Sequence, residues 1–274
     1  MCPLRPGGGS HPDLVFDGAS PLMNSRQSQF AAALIEARRR GALAPTALDS
    51  VPTSLAEAMA VQRETTVAIG ASIGAWKVGY APDGSPVAAP IYADVIYASG
   101  DRVPVGASGK SGIEVELALR LAKDLPPRPG RPYGRADILE ACEALLMGVE
   151  IVAGRLPEPP KPPFLALLAD NSSNGAFVRG VEVRDFRGLS VSSLRCRLAL
   201  NGSTTHEGVG GHAKGDPVLA VVDYVNRPCD RLGGLRAGQI VTTGTLSGCP
   251  YVEGAAKVFA ELEGLGEIAF EITD

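Results

Sequence analysis

The sequence predicts an α+β fold, with a helical layer at the N-terminus followed by a mixed and largely β region. Helical periodicity with capping signals fills the stretch before residue 71. From "IGAWKVGY" onward the texture changes to short apolar strands punctuated by Gly and Pro. Those strands do not alternate strictly with helices, which points away from a doubly wound parallel sheet.

Residues 1–22 are rich in Gly, Pro and Ser and predict a disordered leader, with structured pattern beginning just after Met23. Residues 23–73 make the helical layer. "SRQSQFAAALIEARRRG" reads as a helix ending at Gly41, and "SLAEAMAVQRETTVAIG" as a second, with Ser54 as N-cap and Glu57 completing a capping box. In residues 74–274, strands are expected at 74–80, 101–105, 112–122, 147–153, 175–179, 192–200, 239–244, 257–263 and 266–273. Two helices interrupt them. In "RADILEACEALLMG" the apolar positions 138, 139, 142, 145, 146 and 149 follow a helical rhythm, and "GDPVLAVVDYVNRPC" starts at an Asp-Pro suited to a first turn.

With 274 residues, 45% of them apolar, the chain can bury a sizeable core. Its net charge is −4 and its Lys and Arg are scattered, which argues against nucleic acid or an anionic membrane as partner. A small molecule in a pocket is expected instead. The five cysteines, Cys2, Cys142, Cys196, Cys229 and Cys249, are far apart and lack a C-x-x-C pair. Reduced thiols in a cytoplasmic protein suit that pattern better than disulfides or zinc. His11, His206 and His212 form no zinc motif. No apolar run approaches the ~20 residues of a membrane span, and the N-terminus lacks an apolar signal core.

Within "GKSGIEVELALRLAKDLP", Glu114 and Glu116 share one parity while Ile113, Val115, Leu117, Leu119 and Leu121 take the other. On a helix the two glutamates would point about 200° apart. On a strand they share a face, with Cα atoms roughly 6.6 Å apart, and the unbroken alternation selects the strand. A solvated face, with Arg120 beside Glu116, would accommodate such a pair. A third carboxylate, Glu150 in "LMGVEIVAG", lies in an apolar run where a lone charge is costly. A hard divalent cation answers both anomalies: Mg²⁺ takes oxygen ligands, and three glutamates leave about three of its six positions for water or a bidentate substrate.

The segments "GAWKVGY", "IEVELALRLAKDLP", "ALLMGVEIVAGR", "LLADNSSNGAF", "GDPVLAVVDYVN" and "LRAGQIVTTGTL" occur in the order characteristic of the fumarylacetoacetate hydrolase superfamily. From about residue 25 to the C-terminus the chain resembles its 2-keto-4-pentenoate hydratase and 4-oxalocrotonate decarboxylase branch. The resemblance implies a mixed β-sandwich roll flanked by helices, with residues 74–274 as the catalytic domain. It implies Mg²⁺ or Mn²⁺ held by Glu114, Glu116 and Glu150, the W-K-x-G lysine at Lys77, and the D-N-A-S serine at Ser173, where this chain reads "DNSS". Members are usually homo-oligomeric.

The implied activity is that of a metal-dependent lyase in aromatic-compound catabolism, a hydratase acting on a small 2-hydroxy-2,4-dienoate such as 2-keto-4-pentenoate. A decarboxylase of the 4-oxalocrotonate type, an acylpyruvate C–C hydrolase and a non-catalytic relative are the alternatives. Two departures bear on that choice. Family hydratases carry an acid in a "DFG"-like motif after the lysine, whereas this segment is shortened to "APDGSPVAAPIYADV", with Val87 at that place and Asp83 and Asp94 nearby. The hydrolases carry a His-Glu pair before E-x-E, and no histidine lies between His11 and His206.

A lysine such as Lys77 can pack its stem and send its ammonium to water. The W-K-x-G match favours a functional role, pairing with the substrate's anion or, with a lowered pKa, relaying a proton. Asp170, Asn171 and Ser173 read as a turn, with Ser173 as a hydrogen-bond donor to substrate. His212 in "GVGGHAKGDP" reads as part of a glycine loop, and "GVGGHA" follows no buried strand, so a dinucleotide site is not expected. Cys142 reads as core.

Overall fold

The computed structural model describes residues 25–45, 50–228 and 232–274, so the leader expected over residues 1–22 lies outside the described residues. In chain order the elements are α1 (Ser25–Arg40), α2 (Leu55–Ile69), β1 (Ile73–Tyr80), β2 (Pro86–Tyr92), β3 (Ile96–Ala98), β4 (Arg102–Pro104), β5 (Lys110–Leu121), α3 (Arg135–Glu140) and β6 (Cys142–Val152). They continue with α4 (Phe164–Ala169), β7 (Asn174–Arg179), β8 (Arg195–Leu200), β9 (Ser203–Val209), α5 (Val218–Asn226), β10 (Ile240–Thr245), β11 (Tyr251–Glu253), β12 (Ala256–Leu262) and β13 (Gly266–Thr273). Among the described residues no helix is long and apolar enough to cross a membrane.

Helix α2 forms where its caps place it. Ser54 Oγ accepts from the Glu57 N–H at 3.2 Å. The Glu57 carboxylate reaches one residue further back than a capping box requires, accepting from Thr53 N and Oγ1 at 2.7 and 2.8 Å. Gly70 ends α2 in the left-handed conformation (φ 67°), and the Ala71 N–H turns back to the Thr66 carbonyl at 3.1 Å.

The larger sheet has the order β2-β1-β10-β5-β6-β7-β3, with β11 beside the start of β5. It is antiparallel except at β1–β10 and β3–β7. It curls until β2 lies against β7, and the Asn171 amide donates to the Pro90 carbonyl at 3.1 Å across the closure. The smaller sheet, β4-β13-β12-β8-β9, packs on the outside of this roll.

Strand parity decides which core each side chain joins. Ile113, Val115, Leu117, Leu119 and Leu121 point outward and meet Leu198, Val258, Ala260, Ile268 and Ile272 of the smaller sheet. Each such buried side chain contributes about 1.5–3 kcal/mol. Ala118, on the opposite parity, joins Ala75, Ile91, Leu146, Phe177 and Ile240 inside the roll. A third cluster seats Phe30, Leu34, Met59 and Leu168 of the helices against Val87.

One close approach depends on a missing side chain. Gly148 lies opposite Glu116, and a Cβ there would come within 2.2 Å of the Phe177 ring. Gly148→Ala is therefore expected to destabilise the fold by about 1–3 kcal/mol through overpacking, read from the urea midpoint. An unchanged midpoint would show that the ring is free to move.

Several expectations need correction. The helix over "RADILEACEALLMG" stops at Glu140, and Cys142 onward is strand β6. β6 lies between β5 and β7 with both faces covered, so its apolar run has no period of two and matches helical spacing by accident. Cys142 is core, but on a strand. β2 had no counterpart among the expected strands because Pro86 and Pro90 read as breakers, although an edge strand tolerates proline. The exposed edge strand β9, the short strands β3 and β11, and the single-turn helix α4 were likewise not expected.

Candidate metal centre

β5 and β6 are antiparallel neighbours with Glu114 directly opposite Glu150. Glu116 follows two residues along on the same face. Register is held by the outward alternation of β5, since a slip of one residue would carry five large apolar side chains inside and both glutamates out. Glu114, Glu116 and Glu150 each bring a carboxylate oxygen to a common place, all within 4.8 Å of one another. Glu116 and Glu150 are buried and Glu114 is half-buried.

The partners of these oxygens are unequal. Lys77 Nζ donates to Glu150 Oε1 at 2.6 Å and to the Ser172 carbonyl at 3.2 Å. Asn174 Nδ2 donates to the same Oε1 at 3.0 Å. The Gly244 N–H donates to Glu116 Oε2 at 2.7 Å, and the Cys249 thiol hydrogen-bonds Glu114. Glu150 Oε2 is buried without a hydrogen-bond partner among the described residues. A buried carboxylate oxygen left in that state is costly.

Charge balance points the same way. Burial, then the Glu150 charge, pushes the Glu114 carboxyl up to about 7, and burial followed by Glu150 and Glu114 holds Glu116 well above the carboxylate range. Burial works against the Lys77 ammonium, but Glu150, Glu114 and Glu116 outweigh it and raise its pKa. The lowered value that a proton-accepting lysine needs is not what this environment produces; Lys77 stands here as an ammonium. Three carboxylates facing one ammonium fit a hard divalent cation, which would take the unpartnered oxygen and neutralise the excess charge.

A pH dependence follows. Glu114 ordinarily titrates at 4.5 and here at about 7, so the stability of its protonated form is complete below pH 4.5 and lost as pH rises through 7. Without added metal, the melting temperature should fall across that interval. Saturating Mn²⁺ should raise it, by an amount that grows with pH, because binding must displace those protons. Thermal scans with and without Mn²⁺ check this, and a shift independent of pH would contradict it.

The fifth expected site residue lies in a strained turn. Asn171, Ser172 and Ser173 all have positive φ, at 51°, 50° and 60°. Each non-glycine residue so placed costs about 1–2 kcal/mol, a pattern that collects at functional sites. The turn supplies the Ser172 carbonyl to Lys77 and leads into Asn174, which holds Glu150. Ser173 is buried, and its Oγ lies against Gly154, where a Cβ would approach to 2.9 Å. Asp170 anchors the turn from beneath. Its Oδ2 accepts the Arg155 N–H at 2.6 Å, and its Oδ1 accepts Arg155 Nε at 2.8 Å and Arg38 NH2 at 3.1 Å.

Val87 packs among the apolar residues beneath the helices, so no acid stands there. Asp83 is exposed and accepts the Ser85 N–H, and Asp94 is exposed in the 3-10 turn after β2. His212 is in its expected loop, with Nε2 2.7 Å from the Thr243 carbonyl. Asn174, Asp170 with Arg155, the Gly244 amide and Cys249 were not singled out from the sequence for the roles they have here. Asn174 was the most accessible of them, being a polar residue that closes "DNSSN" before a buried strand.

Residues 72–273 match the family described as fumarylacetoacetate (FAA) hydrolase C-terminal. The 2-keto-4-pentenoate hydratase of Burkholderia vietnamiensis (strain G4 / LMG 22486) is 29% identical over 185 residues, 67% of this chain and 69% of that protein. The 2-keto-4-pentenoate hydratase of Paraburkholderia phymatum is 30% identical over 186 residues, 68% of this chain and 69% of that one. In fold, 4-oxalocrotonate decarboxylase from Pseudomonas putida G7, complexed with magnesium and adipate, superposes with TM-score 0.78 at 20% identity, covering 92% of this chain and 99% of that one. With nearly three-quarters of its length matched to one family, the chain belongs to the fumarylacetoacetate hydrolase family.

Proposed function

We propose that the protein is a divalent-metal-dependent hydratase of small unsaturated 2-oxo or 2-hydroxy acids, of the 2-keto-4-pentenoate type, with Glu114, Glu116 and Glu150 as ligands to Mg²⁺ or Mn²⁺. The observation that carries this reading is three carboxylates with an oxygen each within 4.8 Å of one another, one of them with a buried oxygen that no described residue satisfies. The hydratase names of the relatives at 29–30% identity support the reaction type. When bound, such an ion supplies Lewis-acid polarisation of a chelating 2-oxo acid.

The chain's own residues do the rest. Lys77, a raised-pKa ammonium fixed by Glu150 and the Ser172 carbonyl, keeps its proton and stabilises negative charge that moves onto the substrate's C2 oxygen. Ser173 donates its hydroxyl to the substrate. The Gly244 amide and Asn174 aim the Glu116 and Glu150 carboxylates, as second partners of metal ligands do.

Purified protein with Mg²⁺ should bleach the ultraviolet absorbance of 2-hydroxypenta-2,4-dienoate. The decarboxylase reading has one observation in its favour. With Val87 in apolar packing and Asp83 and Asp94 exposed, none of these three positions offers a buried acid to activate water, and loss of CO₂ requires none. Release of CO₂ from 2-oxo-3-hexenedioate without turnover of the dienoate would select it.

A further inference from the structure

The Asp170 carboxylate already has enough partners without the helical layer. Arg155 gives it a backbone N–H at 2.6 Å and Nε at 2.8 Å, which together satisfy both oxygens. The same guanidinium donates to the carbonyls of Asp170 and Asn174 at 3.4 and 2.6 Å, lacing the two ends of the turn, and to the Ala153 carbonyl at 3.1 Å. Burial and neutralisation of Asp170 therefore do not call for another cation. Yet Arg38 comes from α1, outside the matched span of residues 72–273, and places NH2 3.1 Å from Asp170 Oδ1.

That contact has costs. Two guanidinium groups share one buried carboxylate, and Arg38 Nε is buried without a partner among the described residues. Arg38 also lies over the Tyr92 ring, 5.1 Å from its centroid, which fixes its approach from the edge of β2. What lies beyond Asp170 accounts for the arrangement. The next three residues are the left-handed Asn171, Ser172 and Ser173, the Ser173 N–H returns to the Asp170 carbonyl at 2.9 Å, and Ala153 N–H donates to the Ser173 carbonyl at 2.8 Å. From this turn the Ser172 carbonyl takes Lys77, and the adjoining Asn174 takes Glu150.

We propose that Arg38 is a positioning residue: through Asp170 it clamps the strained turn 171–173, and so orients Lys77 and Ser173 towards substrate without contributing to the metal ligands themselves. This rests on the metal-dependent reading above. It makes the N-terminal helical layer a working part of the site rather than a cover, and it separates two properties that a general loss of structure would lower together.

The test compares wild type, Arg38→Met and Arg38→Lys, with Mn²⁺ alone and then oxalate as the probe of 2-oxo-carboxylate chelation. Mn²⁺ affinity by electron paramagnetic resonance should stay within about threefold of wild type in both variants, because the ligands are set by the β5–β6 pairing and Asn174, which holds Glu150, is itself fixed opposite Val152 of β6. Oxalate affinity of the Mn²⁺-loaded Arg38→Met protein should fall roughly tenfold or more, with KM raised and kcat lowered, and Arg38→Lys should recover part of the loss. Amide exchange at Ser173 and Ala153 should quicken in step. Unchanged oxalate affinity and turnover in Arg38→Met would overturn the proposal, as would a matching loss of Mn²⁺ affinity. If Arg38→Met does not fold, the same comparison is made on Arg38→Lys, where unchanged exchange, oxalate affinity and turnover count against it. Failure of the wild type to bind Mn²⁺ would instead remove the metal-dependent reading beneath it.

Discussion

Glu150→Gln is expected to abolish the thermal shift produced by Mn²⁺ and to lower turnover roughly 10³-fold, the scale on which a preorganised charge in a closed site acts. In wild type, metal at about a hundred times its Kd should add about 2.7 kcal/mol of stability. In a chain of this size that corresponds to roughly 5–10 °C. Without added metal, two effects of the substitution oppose each other. The Lys77–Glu150 ion pair at 2.6 Å is lost, but so is the charge that, after burial, does most to raise Glu114 and Glu116. The metal-free melting temperature should therefore move little while the metal-induced shift disappears. A Mn²⁺ shift equal to that of wild type would show that Glu150 is not a ligand.

Lys77→Met should separate chemistry from metal binding. Lys77 is the ammonium facing the three carboxylates, and it occupies Glu150 Oε1. Removing it leaves Mn²⁺ affinity intact or tighter, because a competing cation is gone. Turnover should fall about 10²–10³-fold, the range for loss of one preorganised charge stabiliser. Breaking a buried pair of this kind costs about 3–5 kcal/mol, and the loss should be larger at pH 8 than at pH 5, where the carboxylates of Glu114 and Glu116 are protonated. Calorimetric Mn²⁺ titration beside steady-state kinetics tests the separation. Parallel loss of both would make Lys77 a structural support only.

The fold class and the clustering of the three carboxylates were more legible than the individual strands around them, for physical reasons. Two glutamates on one parity of an otherwise apolar alternation can share a face only on a strand, and that parity located β5 and its carboxylates together. Glu150 was conspicuous because its surroundings are apolar. The same apolar surroundings hid the start of β6, where side chains buried on both faces leave no alternation to read. Pro86 and Pro90 concealed β2, since whether a proline breaks a strand depends on which edge faces a neighbour, and that is a property of the sheet. The turn at Asp170 was visible as a turn. Its three successive left-handed residues were not, because the local sequence permits that conformation for Asn and Ser without requiring it, and the Arg155 and Arg38 contacts to Asp170 at the start of the turn come from elsewhere in the chain.

Crystals grown with Mn²⁺ and oxalate, measured at the manganese edge, test the central claim most directly. A single anomalous peak should lie among Glu114, Glu116 and Glu150, with oxalate completing the coordination on the side of Lys77. Density showing those three carboxylates without an ion between them, at saturating Mn²⁺, would contradict it.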